Sequence, residues 1–552
     1  MSAVDPWSRR RFLAGASATA LGLGALVSSC DTSAATPVAA APGRRRVVLE
    51  ADASGAGRYV YLPVDVPRGV GRLDVRSVAS EPSATLGLGL FDQRGAGYQS
   101  PGFRGIYGSE RSAFTLSATD ASEAFLPGPI GAGRWTVVVP VFHAPSGTRV
   151  RVTVTMTDAG TGTGASPVGG AGPALGVVRG GPAWFKGDLH CHTPASSDAW
   201  ASRSALDPAD WARALRARGM DFAAMTDHNV VTQNRNLAVA AGDEEVLLLP
   251  GEEMTNYFHG HATVSGLRVG DWLDWRQSPE GASSATAAPT ANGSPARIRD
   301  FLAAARATGG YIAAAHPSAA GLGWQFTPEL LADPASRPDG WEVWTGPFGQ
   351  DDEVSLRTWD GFLRRGLRLW ANGGSDLHGI HNDGGFGVGT PTTVVWAQEL
   401  SSAGIVAALR SGRSYVTRRP DRVEVELRAR AADQDVGVGG TLHGRPGDVV
   451  EVTATLRRAT GMHLTLLTGD GSISTYPITS DDQTFLAALP VPRRGGYVRA
   501  EVRGSVPGDR HSPSASETDM EAFTNPIFLA VGDPTGRPDD AGAGTAPGPP
   551  AW

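Results

Sequence analysis

Cysteine is nearly missing from this sequence: 552 residues hold only Cys30 and Cys191. A disulfide-stapled scaffold is therefore excluded, and stability must come from packing and from bound metal. Surplus charge is missing too. Forty-nine Lys+Arg face 56 Asp+Glu, a formal charge of −7, so no global field draws the chain to nucleic acid or anionic lipid, and an anionic substrate must be attracted locally. The apolar run ending at Val27 is too short for a comfortable membrane span. What is present is a chain too long for one core, with two to four domains expected. Glycine and proline are abundant, yet apolar stretches of strand and helix size recur from about Val47 to Val531, so the body is globular.

Residues 1–30 stand outside the fold. Ser8-Arg9-Arg10-Arg11-Phe12-Leu13 is a twin-arginine element, and an Ala/Leu/Gly-rich run follows it. Export of a folded protein is the expectation, which suits a metal site loaded before departure. Val27-Ser28-Ser29-Cys30 resembles a lipobox, which would make Cys30 the lipidated residue and tether the protein to the outer face of the cell membrane. The other reading is an incidental cysteine beside a cleavage site such as Ala34-Ala35. With Cys30 consumed, Cys191 has no partner.

An Ala/Pro/Arg linker occupies 31–46, and β-rich runs at 47–157, such as Arg58–Leu62, Trp135–Val139 and Val150–Val154, predict an antiparallel sandwich. This is read as an accessory module, with surface or glycan binding as its role. A Gly/Ala/Thr/Pro linker covers 158–183. From Trp184 the pattern alternates strand and helix. Asp207-Pro208 opens a helix ending near Gly219. Strands are expected at Ala223–Thr226, Val246–Leu249, Tyr311–Ala315, Trp341–Trp344, Leu367–Ala371 and Thr392–Trp396, and helices at Ile298–Ala307 and Ser401–Arg410. About seven β/α units over 184–418 predict an α/β barrel, with Ser278–Pro295 as an inserted loop. Alternation returns at 421–532, predicting a second sandwich, and a Pro/Gly/Ala tail at 533–552 is expected to be disordered.

Eight of the twelve histidines lie between His190 and His381, most of them directly after a predicted strand. The C-terminal ends of parallel strands converge on one mouth, so such residues meet. In Asp188-Leu189-His190-Cys191-His192 the two imidazoles at i and i+2 share a side and can bind one metal, while Cys191 turns away as a packing residue. Asp198 can return from the loop as an oxygen ligand. Thr226-Asp227-His228 offers an imidazole with a carboxylate to orient it. Gly251-Glu252-Glu253 supplies a carboxylate able to bridge two cations, and His261 follows it. His316-Pro317 and Ser375-Asp376-Leu377-His378 complete five ordered elements. His259 and His381 are read as flanking substrate contacts. Lys186 and Arg203 are candidate phosphate contacts, although each also fits an ordinary surface charge.

Taken together, these motifs resemble the PHP (polymerase and histidinol phosphatase) superfamily. The run from Gly389-Thr390-Pro391-Thr392 to Ser414-Tyr415-Val416-Thr417 resembles its CehA/McbA branch. The resemblance spans Trp184 to Thr417. It implies a distorted (β/α)7 barrel, here flanked by N-terminal and C-terminal β-sandwiches, with two or three Mn, Zn or Fe ions at its mouth. It makes Glu253 the bridging ligand. His190, His192 and Asp376 would share the first metal with Glu253; His261 and His316 would complete the second; Asp198, His228 and His378 would hold a third. Many members carry histidine where this chain has Asp198. Asp376, His378 and Glu253 are the expected catalytic residues. The implied activity is phosphoester hydrolysis of a small molecule by a metal-activated hydroxide, with carboxylic or carbamate ester hydrolysis as the alternative. A non-catalytic surface-binding protein is the third reading.

Overall fold

Strict alternation builds the N-terminal region. In a computed structural model of the chain, Arg149–Asp158 buries every second residue and lies within the first of two antiparallel sheets. The structure describes residues 36–38, 43–159, 176–199, 202, 204–256, 260–276, 295–320, 322–324, 331–334, 337–380, 387–504 and 519–532. The first sheet runs in the order Thr36–Val38, Arg44–Asp52, Arg149–Asp158, Val70–Ala79, Ala113–Ser117. The second runs Arg58–Val66, Gly133–His143, Leu88–Phe91, Phe103–Tyr107. Leu49, Val75, Val150 and Val152 of one sheet share a core with Leu62, Val64, Val137 and Val139 of the other. The twin-arginine element, Cys30, most of both linkers, the Ser278–Pro295 insertion and the 533–552 tail lie outside the described residues. Among the described residues, no helix is long and apolar enough to cross a membrane.

Seven strands then follow in neighbour order: β1 (Arg179–Cys191), β2 (Phe222–Met225), β3 (Leu247–Asn256), β4 (Gly260–Ser265), β5 (Tyr311–Ala314), β6 (Gly340–Thr345) and β7 (Trp370–Gly374). The run turns back on itself. Asp376 N donates to His190 O at 2.8 Å and His192 N to Leu377 O at 3.2 Å, joining the end of β7 to the end of β1. Strands β1 to β3 are mutually parallel, as are β5 to β7. Strand β4 is antiparallel to both of its neighbours.

The expected even alternation of parallel strands and helices is corrected here. Gly260–Ser265, which carries His261, is a fully buried strand that runs against both of its neighbours. The chain as a whole is sheet-rich. Strand β7 sits three residues later than expected, ending in Gly373-Gly374. Those glycines permit close approach: a Cβ on Gly374 would lie 2.4 Å from His190 Cβ.

The helices behave as their ends dictate. Asp207 caps Pro208–Ala217 by accepting Asp210 N at 2.8 Å, and Ser401 caps Ser402–Arg410 by accepting Gly404 N at 3.0 Å. Phe222, Ala224, Leu247 and Leu249 pack with Ile405 and Leu409 of the second helix. Ala223, Met225 and Leu248 pack with Trp211 and Leu215 of the first. Successive residues of β2 and β3 thus face opposite ways.

Beyond the ring the sheet continues. Strand Thr392–Leu400 pairs antiparallel with β1, then come Ser414–Thr417, Met520–Thr524 and Gly496–Arg503. A separate four-stranded antiparallel sheet, Gln434–Gly437, Glu424–Ala431, Val449–Arg457, Asp482–Pro490, shares a core with it through Val425, Val452, Leu466 and Val498. The 421–532 region therefore contributes to two sheets, one of which is common to the ring.

Candidate metal centre

The alternation of β3 places Glu253 on the same face as Leu247 and Leu249, at the end of the ring where β1, β2 and β5 also finish. Its carboxylate is fully buried and encircled by imidazoles. Oε2 lies 3.1 Å from His190 Nε2, 3.4 Å from His192 Nε2 and 2.9 Å from His228 Nδ1. Oε1 lies 2.9 Å from His261 Nδ1 and 3.2 Å from His316 Nε2. Glu252 faces away, accepting Leu273 N at 2.8 Å.

The other carboxylates bind the rim. Asp376 Oδ1 is 3.3 Å from His190 Nε2 and 3.1 Å from His192 Nε2. Asp198 Oδ2 is 3.2 Å from His228 Nε2 and 3.0 Å from His378 Nε2. The side chain of Asp198 is 41% exposed and that of His378 27%, so these two mark the open side of a site whose base is sealed. His316 and Asp376 have φ of 28° and 52°. Both left-handed conformations are held in place, by His316 N donating to Glu342 Oε2 at 2.7 Å and Asp376 N donating to His190 O at 2.8 Å.

Charge and burial oppose one another at most of these groups. Burial would raise the carboxyls of Glu253, Asp376 and Asp198, but the surrounding imidazoles hold all three well below the usual range. Burial lowers His192 to about 3, reinforced by His378 and His228. It also lowers His261 to about 4, against the pull of Glu253. For His190 and His228 burial is outweighed, by Glu342 and Glu253 in the first and by Glu253 and Asp198 in the second, and both stand well above 6.5. Asp198 likewise overcomes burial to bring His378 to about 9.

Hydrogen bonds do not account for this crowd. His190 Nε2, Glu253 Oε2, His261 Nε2 and His316 Nδ1 are buried and have no hydrogen-bond partner. Two of them, His190 Nε2 and Glu253 Oε2, face each other at 3.1 Å. Buried polar atoms are normally satisfied, and lone pairs aimed at a common point fit a cation. Among the described residues, three groups have ligand atoms within 4.8 Å of one another: His190, His192, Glu253 and Asp376; His228, Glu253 and His261; and His192, His228 and His378. The first is the set expected for one metal. The second places His228 and His261 together on Glu253, beside His316, whose Nε2 lies 3.2 Å from Glu253 Oε1.

Several residues that shape the site escaped the sequence reading. Glu342 lies 3.1 Å from His190 Nδ1 and accepts from Thr345 Oγ1 at 3.0 Å. It thereby orients His190, in the way that outer carboxylates fix the ring of a metal-binding histidine. Its only signal was a carboxylate within the apolar strand Trp341–Trp344. Ser196 Oγ meets His192 Nδ1 at 2.8 Å and accepts His228 N at 3.1 Å. Asp227 does not face the His228 ring as expected. It binds Thr193 N and Oγ1, both at 2.7 Å, and Ser196 N at 3.2 Å, so it shapes the loop after β1. Cys191 turns away, packing with Trp211 and Leu377.

Lys186 is corrected. Its Nζ donates to Pro420 O at 2.7 Å and lies 3.8 Å from Glu424, in the C-terminal region. Four residues before His190 on an extended strand is about 13 Å away, too far to touch a substrate at the mouth. Arg203, His259 and His381 lie outside the described residues.

No family model matches the sequence, and no curated protein matches it. Among solved structures, the chain is similar to an amidohydrolase from Chromobacterium violaceum with bound sulfate and no metal, at 20% identity and a TM-score of 0.25, covering 36% of this chain and 89% of that one. It is also similar to a protein from Bifidobacterium adolescentis assigned as a metal-dependent phosphoesterase, at 18% identity and a TM-score of 0.26, covering 36% of this chain and 90% of that one.

Proposed function

We propose that this chain is a metal-dependent phosphoesterase of the PHP type, in the CehA/McbA branch, with a distorted seven-stranded barrel as its catalytic body. One observation carries the reading: a single buried carboxylate, Glu253, meets five imidazoles while four buried ligand atoms of this cluster lack hydrogen bonds. The donor set of nitrogen and carboxylate oxygen suits Mn, Zn or Fe. When bound, such ions lower the pKa of a water toward neutrality and offset charge developing on the scissile group.

The residues of the chain have distinct parts in this reading. Glu253 would be shared between cations, since its two oxygens face different histidines. His190, His192 and Asp376 hold the inner position. His261 and His316 would complete the second, and Asp198, His228 and His378 would hold the outer one. The buried base excludes water, while the exposed edge at Asp198 and His378 admits substrate. His192 and His261, already neutral at physiological pH, are ready to donate lone pairs. Cations supply the positive charge that a phosphoester needs, so the mouth requires no lysine from the chain. Export by the twin-arginine route and a lipid anchor on Cys30 complete the reading, supported by the sequence at 8–13 and 27–30.

The test is metal analysis of purified protein, combined with turnover of a phosphomonoester, a phosphodiester and an aryl ester. At least two ions per chain and phosphoester turnover are expected. Less than one ion per chain overturns the metal centre, and aryl ester turnover alone replaces the phosphoester by a carboxylic ester. Binding without any turnover leaves a surface-binding protein.

A further inference from the structure

The N-terminal sheets touch the metal centre through one loop. After β1 the chain passes through Thr193 to Ala199, and two adjacent serines in it face opposite ways. Ser196 faces the histidines. Ser197 faces the N-terminal sheets: its Oγ donates to Glu110 Oε2 at 2.8 Å and accepts Gly108 N at 3.0 Å. The next residue is Asp198. Its Oδ1 accepts Ala199 N at 2.9 Å, which leaves Oδ2 aimed at His228 and His378.

The fit at this contact is tight. A Cβ on Gly108 would lie 2.8 Å from Ser197 Oγ and 2.5 Å from Glu110 Oε2. A second clamp holds the two regions in register. Arg276 donates to Tyr61 Oη, Ala96 O and Gly97 O, each at 3.0 Å, and Trp272 stacks on Phe103 with centroids 4.1 Å apart. Leu273 N, within that clamped segment, binds Glu252 beside the bridging Glu253.

We propose that the N-terminal β module is a positioning part of the metal centre, in which Glu110 and the Gly108 amide fix Ser197 and thereby set Asp198 against His228 and His378. Resting on the metallohydrolase reading, this makes Ser197 and Glu110 positioning residues for the outermost cation. The module then governs whether the outer position fills, while the inner ions depend on the ring alone.

The experiment is calorimetric titration of the metal-free full-length chain with Mn²⁺ and Zn²⁺, comparing wild type with Ser197→Ala, Glu110→Ala, Glu110→Gln and Asp198→Ala. Loss of an outer partner typically weakens metal binding about 10- to 100-fold. The weakest-bound ion should show that loss in Ser197→Ala and Glu110→Ala, with the tighter ions unchanged. Glu110→Gln keeps an acceptor for the serine hydroxyl and should restore most of the affinity. In the Asp198→Ala background, Ser197→Ala should add nothing, since its effect passes through Asp198. Equal weakening of every ion, or an undiminished Ser197→Ala effect without Asp198, overturns the proposal in favour of a general packing role. Wild-type affinities that Asp198→Ala leaves intact overturn it as well. Those outcomes leave the metallohydrolase reading standing; a wild-type chain that binds no metal removes both.

Discussion

Two buried clusters of charge in this molecule have opposite characters. At the junction of helix Gln350–Arg364 with strand Gly496–Arg503, Asp360 accepts from Arg499 at 3.0 Å and Tyr497 at 2.8 Å. Glu501 accepts from Arg499 at 2.7 Å and Arg503 at 3.0 Å, and Arg503 reaches Glu353 at 2.6 Å. No buried side-chain polar atom of these residues lacks a hydrogen bond. The metal centre is as deeply buried, yet it keeps four orphaned ligand atoms. Saturated polarity of the first kind locks the ring to the C-terminal sheet. Unsaturated polarity of the second kind crowds charge without pairing it, and fits a cation better than a hydrogen-bonded core.

Breaking each cluster should therefore harm different properties. Glu253→Ala should reduce turnover by roughly 10³-fold or more and empty the metal sites, measured by steady-state kinetics and elemental analysis, while the circular dichroism spectrum stays native. Asp360→Ala leaves Arg499 Nε and Tyr497 Oη without their acceptor, with Glu501 as the remaining partner of Arg499, and should cost about 1–3 kcal/mol of stability in urea unfolding, with metal content unchanged. Loss of metal in the second variant, or of folding in the first, would erase the contrast.

Smaller changes sharpen it. Glu342→Gln should weaken metal binding about 10- to 100-fold, since Glu342 orients the His190 ring and holds the His316 backbone from outside the cluster. The pH responses should also separate. A metal ion takes only a neutral imidazole, and His378 stands at about 9 with His190 and His228 also raised. Metal affinity should therefore rise with pH up to about 9, by close to tenfold per unit for each proton released, and calorimetry in buffers of different ionisation enthalpy should record that release. In the network, burial would raise Asp360 and Glu501, but Arg499 lowers both. Their contribution to stability is full above the unfolded carboxyl range, near pH 4, and disappears as pH falls through the depressed values. It is constant where metal binding changes most. The smallest effect belongs to Lys186→Ala, which should alter stability by about 1 kcal/mol or less and leave turnover unaffected.

The ordered ligand types were legible in sequence because each pair is local. His190 and His192 sit two apart at a strand end, as do Asp376 and His378 beyond another, whereas the choice of Glu253 over Glu252 came from the Gly-x-Glu spacing of the family resemblance, because the run Val246–Leu249 is apolar at every position. Glu342 was not legible, because its partner His190 is 152 positions away. Ser197 was hidden for the same reason: Glu110 lies 87 positions earlier, in a region with no metal-ligand pattern of its own.

Residue chemistry and short periodicities thus determined, by themselves, that histidines and carboxylates would collect at strand ends. Tertiary structure alone decided which atoms face one another. It reversed β4 so that His261 enters the cluster, gave His228 two partners, withdrew Lys186 to the C-terminal sheet and brought the N-terminal module against the loop of Asp198. The reason is geometric. A period of two fixes the face of a strand, whereas contacts across a closed ring depend on stagger and on strand direction, which no local pattern encodes.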